Sequence, residues 1–380
     1  MTTSDLFETP ERKDLRATVR RFTEKEIVPH LDEWERAGEL PRDLHRKAAE
    51  IGLLGIGFPE AVGGSGGDLL DSVVLSEEII QAGGSSGLIA GLFTHGIALP
   101  HIVDSGNPDL VDRFVRPTLR GELIGSLAVT EPDGGSDVAA LRTTAVRDGD
   151  HYVVNGTKTF ITSGCRADFV TTAVRTGGEG HEGISLLVIE RAPVTRRLEK
   201  MGWHCSDTAE LSFVDTRVPV TNLVGAENRG FALIMRQFQV ERITMAAEAY
   251  ATAQRCLDLT ADYARTRETF GRPLMSRQVV RHKLVEMAQR TELARTYTRE
   301  VAALIADGRE CVAQVCFAKN AAVDACSFVV DAAVQLHGGF GYLRDAEVER
   351  HYRDARILGI GGGASEVMAE LAAKRLGFTT

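Results

Sequence analysis

The chain has 380 residues, of which 43% are apolar, 26% charged and 6% aromatic, and it carries a net charge of −9. That length exceeds one ordinary core and suits two or three domains, and the composition is that of a globular enzyme rather than a disordered chain. The negative balance, with no clustered Lys/Arg surplus, excludes a nucleic-acid role, because phosphates must be neutralised by such a cluster.

Taken in order, residues 8–119 show helical periodicity interrupted by short breakers. Leu15, Val19, Phe22 and Ile27 mark a first helix, and Pro41 opens a second carrying Leu44, Ala48, Ile51 and Leu54. Gly63 to Gly67 reads as a surface loop, since it lacks the lysine of a phosphate-binding loop. Helices are expected over 69–82, 86–104 and 109–119. From Glu122 the period shortens towards 2, with β-rich runs over 123–130, 142–147, 151–162, 168–176, 183–190 and 209–215, and Asp148-Gly149 as a hairpin turn. After Val224 the pattern is helical again, over 230–265, 276–305, 310–337 and 365–376. The expected fold is therefore α+β: an N-terminal α-helical domain (1–121), a middle β-barrel or sandwich domain (122–228) and a C-terminal four-helix bundle (229–380).

No apolar run is long enough to span a bilayer, and the charged N-terminus MTTSDLFETPERKDLR has no apolar core or cleavage site. A cytoplasmic protein without an integral membrane segment is expected. The 6 cysteines form no C-x-x-C pair and the 10 histidines no ligand pattern, so neither a disulfide framework nor a metal site is expected.

One stretch departs from its own pattern. In Gly230 to Glu248, GFALIMRQFQVERITMAAE, Glu241 shares a helical face with Ile234, Phe238 and Met245. A carboxylate on an apolar stripe is either a structural acid held by an ion pair or hydrogen bond, or a base whose proton affinity is raised by burial. Glu248 lies on the same face about two turns on and reads as structural. Arg242 is about 100° round the helix from Glu241 and should reach elsewhere.

Six motifs decide between these readings. They are AVTEPDGGSD (Ala128 to Asp137), NGTKTFITSG (Asn155 to Gly164), MGWHCSDTAELSFVDTRVP (Met201 to Pro219), RETFG with a later glutamine (Arg267 to Gly271, then Gln278), QLHGGFGY (Gln335 to Tyr342) and RDARILGIGGGASEVM (Arg353 to Met368). In order and spacing, through nearly the whole chain, they resemble the acyl-CoA dehydrogenase family of flavoenzymes. The spacing Gly359, Gly361, Ala364 also fits a dinucleotide fingerprint, but too few residues follow for the strand it requires, and a Rossmann reading is rejected.

The resemblance implies FAD as cofactor. The first motif would approach the flavin through Leu127, Val129, Thr130, Gly135 and Ser136, the last also touching substrate. Phe160, Ile161 and Thr162 would lie against the ring, with Phe160 where the family usually has Trp. Arg267, Thr269, Phe270 and Gln278, with Gln335, Gly338 and Gly339, would grip the pyrophosphate and adenine of a neighbouring subunit's cofactor in a homotetramer built as a dimer of dimers. Ala364 and Glu366 would sit over the flavin. Ala364 replaces a usual Thr and Leu127 a frequent Tyr, and each change removes a hydroxyl.

Many members of the family carry the catalytic base at the position of Gly362, which cannot take a proton. Those acting on branched or long acyl chains carry it in a Glu-Arg pair on the first helix after the β-domain, which Glu241-Arg242 matches. The resemblance thus implies Glu241 as base, Arg242, Gly362 and Gly363 as substrate contacts, and dehydrogenation of an acyl-CoA to its trans-2-enoyl-CoA. Electrons would pass to an electron-transferring flavoprotein. Gly361 to Gly363 and Gly87 to Phe93 are expected to remove bulk where acyl atoms pack, favouring a branched, bulky or medium-to-long chain. An acyl-CoA oxidase, a flavin monooxygenase on this scaffold and a non-catalytic acyl-CoA binder are the competing readings.

Overall fold

The computed structural model describes residues 3–378, and the helical periodicity at both ends of the chain appears there as helices with identifiable signals at their starts. Helix α1 (Pro10–Phe22) begins with proline after Thr9, whose side chain accepts the Arg12 N–H. Helix α2 (Leu69–Gln81) is opened by a reciprocal capping box between Asp68 and Asp71. The C-terminal elements are α3 (Gly230–Thr266), α4 (Gln278–Ala306), α5 (Val312–His337), α6 (Glu347–Ala355) and α7 (Ser365–Leu376). All four helices expected in this part of the chain are present, and α6 is added to them.

The chain divides into two compact units. The first combines the segment ending at Leu31 with Asp68–Gly87 and everything from Gln239 onward; the second comprises Asp32–Gly67 and Leu88–Phe238. In the first unit α5 packs against α4, α6 and α7, while α2 packs against α1 and α4. Helix α3 is tied to α2 by Gln81 donating to the Ala251 carbonyl (2.9 Å) and to α6 by a two-pronged Arg255–Glu347 pair (2.7 and 3.0 Å).

In the second unit, β1 (Gly125–Ala128), β2 (Thr144–Asp148), β3 (His151–Thr162), β4 (Phe169–Arg175), β5 (Ile184–Glu190), β6 (Val194–Arg197), β7 (Thr208–Pro219) and β8 (Leu223–Val224) form one 8-stranded sheet of order β6-β7-β3-β2-β4-β5-β8, with β1 added parallel to β4. Among the described residues the sheet does not close, so of the two expected forms the barrel is excluded. Across β4 and β5 both faces of the sheet are buried. Phe169, Ala173, Leu186 and Val188 join one core with Leu99, Ile102 and Phe114 of the helical segments, and the alternate residues Val170, Val174, Leu187 and Ile189 join another with Tyr152, Leu211 and Phe213. The helix expected over 86–104 is broken into Ser86–Leu92, His95–Ala98 and Pro100–Asp104, the last break being set by proline.

Candidate active site

In the second unit, the turn after β1 is held by a buried ion pair that sequence reading did not single out. Lys158, fully buried on β3, donates to the Val129 carbonyl (3.0 Å) and to Glu131 Oε1 (2.8 Å). Glu131 also accepts the backbone N–H groups of Arg142 (2.6 Å) and Thr143 (2.8 Å). Burial works against the Glu131 charge, but Lys158 and these donors outweigh it and hold its pKa below the ordinary value; burial pushes Lys158 down to about 8. The turn from Glu131 to Gly134 closes on itself through two 3.1 Å backbone bonds, and Thr159 N–H donates to the Thr130 carbonyl (2.9 Å).

Thr130 is thereby laid against β3, and Gly135 and Ser136 are left exposed beyond it. A Cβ on Gly135 would come within 3.1 Å of Thr130 Cγ2. The β3–β7 register shifts between Lys158 and Ile161. At that bulge Phe160 takes a left-handed φ of 60° and stands 69% exposed, while Ile161 turns inward and Thr162 is partly covered. Val129 is buried, and Leu127 pairs with Thr171 on β4. An outward-facing aromatic ring beside bare backbone and two threonines fits a planar ring system.

In the first unit a short hairpin (Glu268–Thr269, Arg272–Pro273) presents Phe270, which has φ 51° and is 97% exposed. Arg277 lies over that ring at 5.6 Å and donates to the Thr269 carbonyl (2.6 Å). Arg267, Gln278, Gln335, Gly338 and Gly339 are exposed as well. Gln335 lines a groove of about 270 Å³ between α4 and α5, with Val279, Lys283 and Phe328. Exposed guanidinium, amide and apolar groups of this kind suit a ligand carrying phosphate and a flat base.

The third group, also in the first unit, surrounds the loop between α6 and α7. Gly362 and Gly363 have φ of 59° and 96°, a region that side-chain-bearing residues avoid. A Cβ on Gly362 would lie 3.5 Å from Glu241 Oε1 and would overlap Met245 Sδ; one on Gly363 would collide with the Met368 side chain. The structure therefore brings Glu241 to the backbone of Gly362. It also corrects the expectation that the glycines open room for an acyl chain: Met245 and Met368 occupy the space they vacate.

Arg242, almost fully buried, donates from Nε to the Gly362 carbonyl (3.3 Å). Lys319 on α5, fully buried, donates from Nζ to the carbonyls of Gly361 (2.8 Å) and Gly363 (2.5 Å). Although an edge of Glu241 remains open to solvent, its carboxylate is desolvated, and burial raises its pKa against the opposing pull of Arg242 and Lys319. Burial pushes Lys319 down to about 8, with Glu241 partly restoring it. Glu248, expected to be structural, is buried, and burial and the Glu241 charge push it up to about 8. Ala364 precedes α7, and Glu366 lies exposed in its first turn.

Lys319 was missed in the sequence, yet the signal was the one that exposed Glu241: a charge whose helical neighbours, Cys316, Ala322 and Val323, are all apolar.

Models of the acyl-CoA dehydrogenase N-terminal, middle and C-terminal domains match residues 9–122, 126–216 and 228–377. The structure is similar to that of a probable acyl-CoA dehydrogenase from Mycobacterium abscessus, 64% identical with a TM-score of 0.96 over 97% of this chain and 99% of that one. The chain is 36% identical to the rat mitochondrial long-chain specific acyl-CoA dehydrogenase over 374 residues, 96% of this chain and 86% of that protein. It is 35% identical to the bovine mitochondrial isobutyryl-CoA dehydrogenase over 371 residues, 96% and 89% of the two chains. Matches to all three domains, and relatives aligned along almost the entire length, establish that this protein belongs to the acyl-CoA dehydrogenase family of oxidoreductases.

Proposed function

We propose that this family member uses FAD to dehydrogenate a branched, bulky or medium-to-long acyl-CoA at its α,β bond, with Glu241 as the base. The observation that carries the assignment is the 3.5 Å approach of Glu241 Oε1 to the position a side chain at Gly362 would take. The acid from α3 reaches the place that a residue at 362 would otherwise serve. Its raised proton affinity suits a group that must remove a weakly acidic proton near neutral pH.

In the proposed reaction Glu241 takes the α-proton; the electron pair of that C–H bond is delocalised onto the thioester oxygen, to which the Gly362 N–H donates, and becomes the α,β double bond as the β-hydride leaves. FAD, when bound, supplies the acceptor for the hydride leaving the β-carbon. Leu127, Val129, Thr130, Gly135 and Ser136 with Phe160, Ile161 and Thr162 would hold the flavin, Ser136 also steadying the thioester; the family resemblance gives Ala364 and Glu366 a flavin contact and Arg242 and Gly363 a thioester contact. Arg267, Thr269, Phe270, Gln278, Gln335, Gly338 and Gly339 would complete the cofactor site of a neighbouring copy, making the protein a homotetramer. We assign residues 1–121, 122–228 and 229–380 to the three domains, a cytoplasmic location, and an electron-transferring flavoprotein as acceptor. The branched or long acyl group is supported by the position of the base and by the names of the relatives, no longer by the glycines.

Glu241→Gln is expected to bind FAD and lower kcat by about 10²–10⁴-fold, the usual contribution of a positioned base. Turnover near that of the wild type would overturn the assignment. Peroxide release matching substrate consumption in air would identify oxygen rather than a flavoprotein as the acceptor.

A further inference from the structure

Lys319 is an expensive residue to keep. It is fully buried in a helix of small and apolar side chains, and burial alone disfavours its charge. Its Nζ bonds two alternate carbonyls of a loop, Gly361 and Gly363, and Arg242 bonds the one between them. Two cations thus take three consecutive carbonyls of a segment that has no side chains to anchor it.

The geometry of the peptide unit gives this arrangement a consequence. The Gly361 carbonyl and the Gly362 N–H belong to one planar trans peptide, so they point in opposite directions. Whatever fixes the carbonyl fixes the N–H. Lys319 holds that carbonyl at 2.8 Å, so the Gly362 N–H is turned away from the ammonium, and it donates to no described residue. A cation on the carbonyl also draws electron density through the amide and makes its N–H a stronger donor.

We propose that Lys319 is a positioning residue for the oxyanion donor: through the Gly361–Gly362 peptide it aims and polarises the Gly362 N–H toward the thioester oxygen of the acyl-CoA. This rests on the function proposed above. Arg242 performs the complementary task one peptide further on, restraining the loop from the opposite charge-bearing helix. Without these contacts, a loop with two successive left-handed glycines has many conformations available and presents its N–H groups in none of them consistently.

The test uses the FAD-loaded enzyme and two ligands, a saturated acyl-CoA for turnover and a 3-oxoacyl-CoA whose enolate is read by ultraviolet absorbance. Lys319→Met is expected to retain FAD, leave KM within about threefold and lower kcat by roughly 10–100-fold, less than deleting an oxyanion donor outright. The apparent pKa of the bound 3-oxoacyl-CoA should rise in the same variant. Lys319→Gln, which keeps a donor without the charge, should recover part of both losses, and it carries the test if the Met variant does not hold FAD. An FAD-loaded variant with unchanged kcat and unchanged enolate titration overturns the proposal, as does a variant that loses thermal stability and kcat while binding the enolate as the wild type does. Glu241→Gln separates the two ideas. Its bound 3-oxoacyl-CoA can lose its proton to water, so the enolate should persist there, and normal turnover in Glu241→Gln would defeat the base assignment while leaving the Lys319 titration to be judged by itself.

Discussion

Glu248 carries a consequence for stability that Glu241, for all its chemical interest, does not isolate. Burial raises its pKa to about 8 in the folded chain, against about 4.3 for a free glutamate. Between those values the folded state holds a proton that the unfolded state has released, so stability falls as pH rises through that window and levels off above it. Glu248→Gln should therefore melt higher than the wild type at pH 8, by an amount that shrinks towards pH 5. Equal melting temperatures at both pH values would show that the carboxylate is not desolvated in solution. A second residue-scale expectation concerns Gly362. Glu241→Gln combined with Gly362→Glu should remain inactive, because the new Cβ overlaps Met245 Sδ and the backbone there is left-handed. Adding Met245→Ala should restore measurable turnover, and recovery in the double variant without it would contradict the steric argument. Glu241 was legible in the sequence because a carboxylate on an apolar helical face violates its own pattern. The role of Met245 was not, because only the folded loop shows which side chain fills the space a glycine leaves.

At the scale of elements, α2 is fastened to its neighbours by Glu77. Its carboxylate accepts Arg16 Nη2 from α1 (2.6 Å), Arg299 Nε and Nη2 from α4 (2.9 and 2.8 Å) and the Tyr250 hydroxyl of α3. Four helices meet at one nearly buried carboxylate, and removing it takes both anchors of the Arg299 guanidinium and leaves Arg16 to Glu78 (3.5 Å). Glu77→Leu should cost about 3 kcal/mol in chemical denaturation; a loss below about 1 kcal/mol would mean the arginines find water instead. Nothing in the local sequence announced this centre, since the partners lie 61, 173 and 222 residues away. Helix existence, by contrast, was readable wherever the 3.6-residue periodicity held, as in α2 and α7. β4 and β5 were readable as strands from their β-rich runs, but the bulge that turns Phe160 outward depends on pairing with β7, which no single strand encodes.

For the whole molecule, the residues matched to a neighbour's cofactor are exposed, apart from the partly covered Thr269. Phe270 at 97%, Tyr342 at 83% and Val279 at 73% are more apolar surface than a solitary chain ordinarily leaves bare. The proposed tetramer accounts for them. Phe270→Asp should release FAD and shift the sizing profile to smaller species together; a variant that stays tetrameric with full FAD, or a wild type that is a monomer retaining FAD, would remove the proposal. The family's three-part plan could be read from the order of its motifs, and the oddity of Glu241 from its apolar neighbours on the same helical face. The clamp on the glycine loop could not, because it joins α3, α5 and the segment before α7.

The crowding of Met245 against Gly362 also bears on ancestry. With the base on α3 as proposed, a lineage moving its proton acceptor to the glycine loop cannot begin with the new acid, since the thioether stands in its way. The methionine must shrink first, at a step that confers no benefit by itself, and the old acid can be dispensed with only last. The first of these exchanges is dictated by van der Waals radii and the last by the need for an acid throughout, so a chain caught halfway still carries the old acid in place.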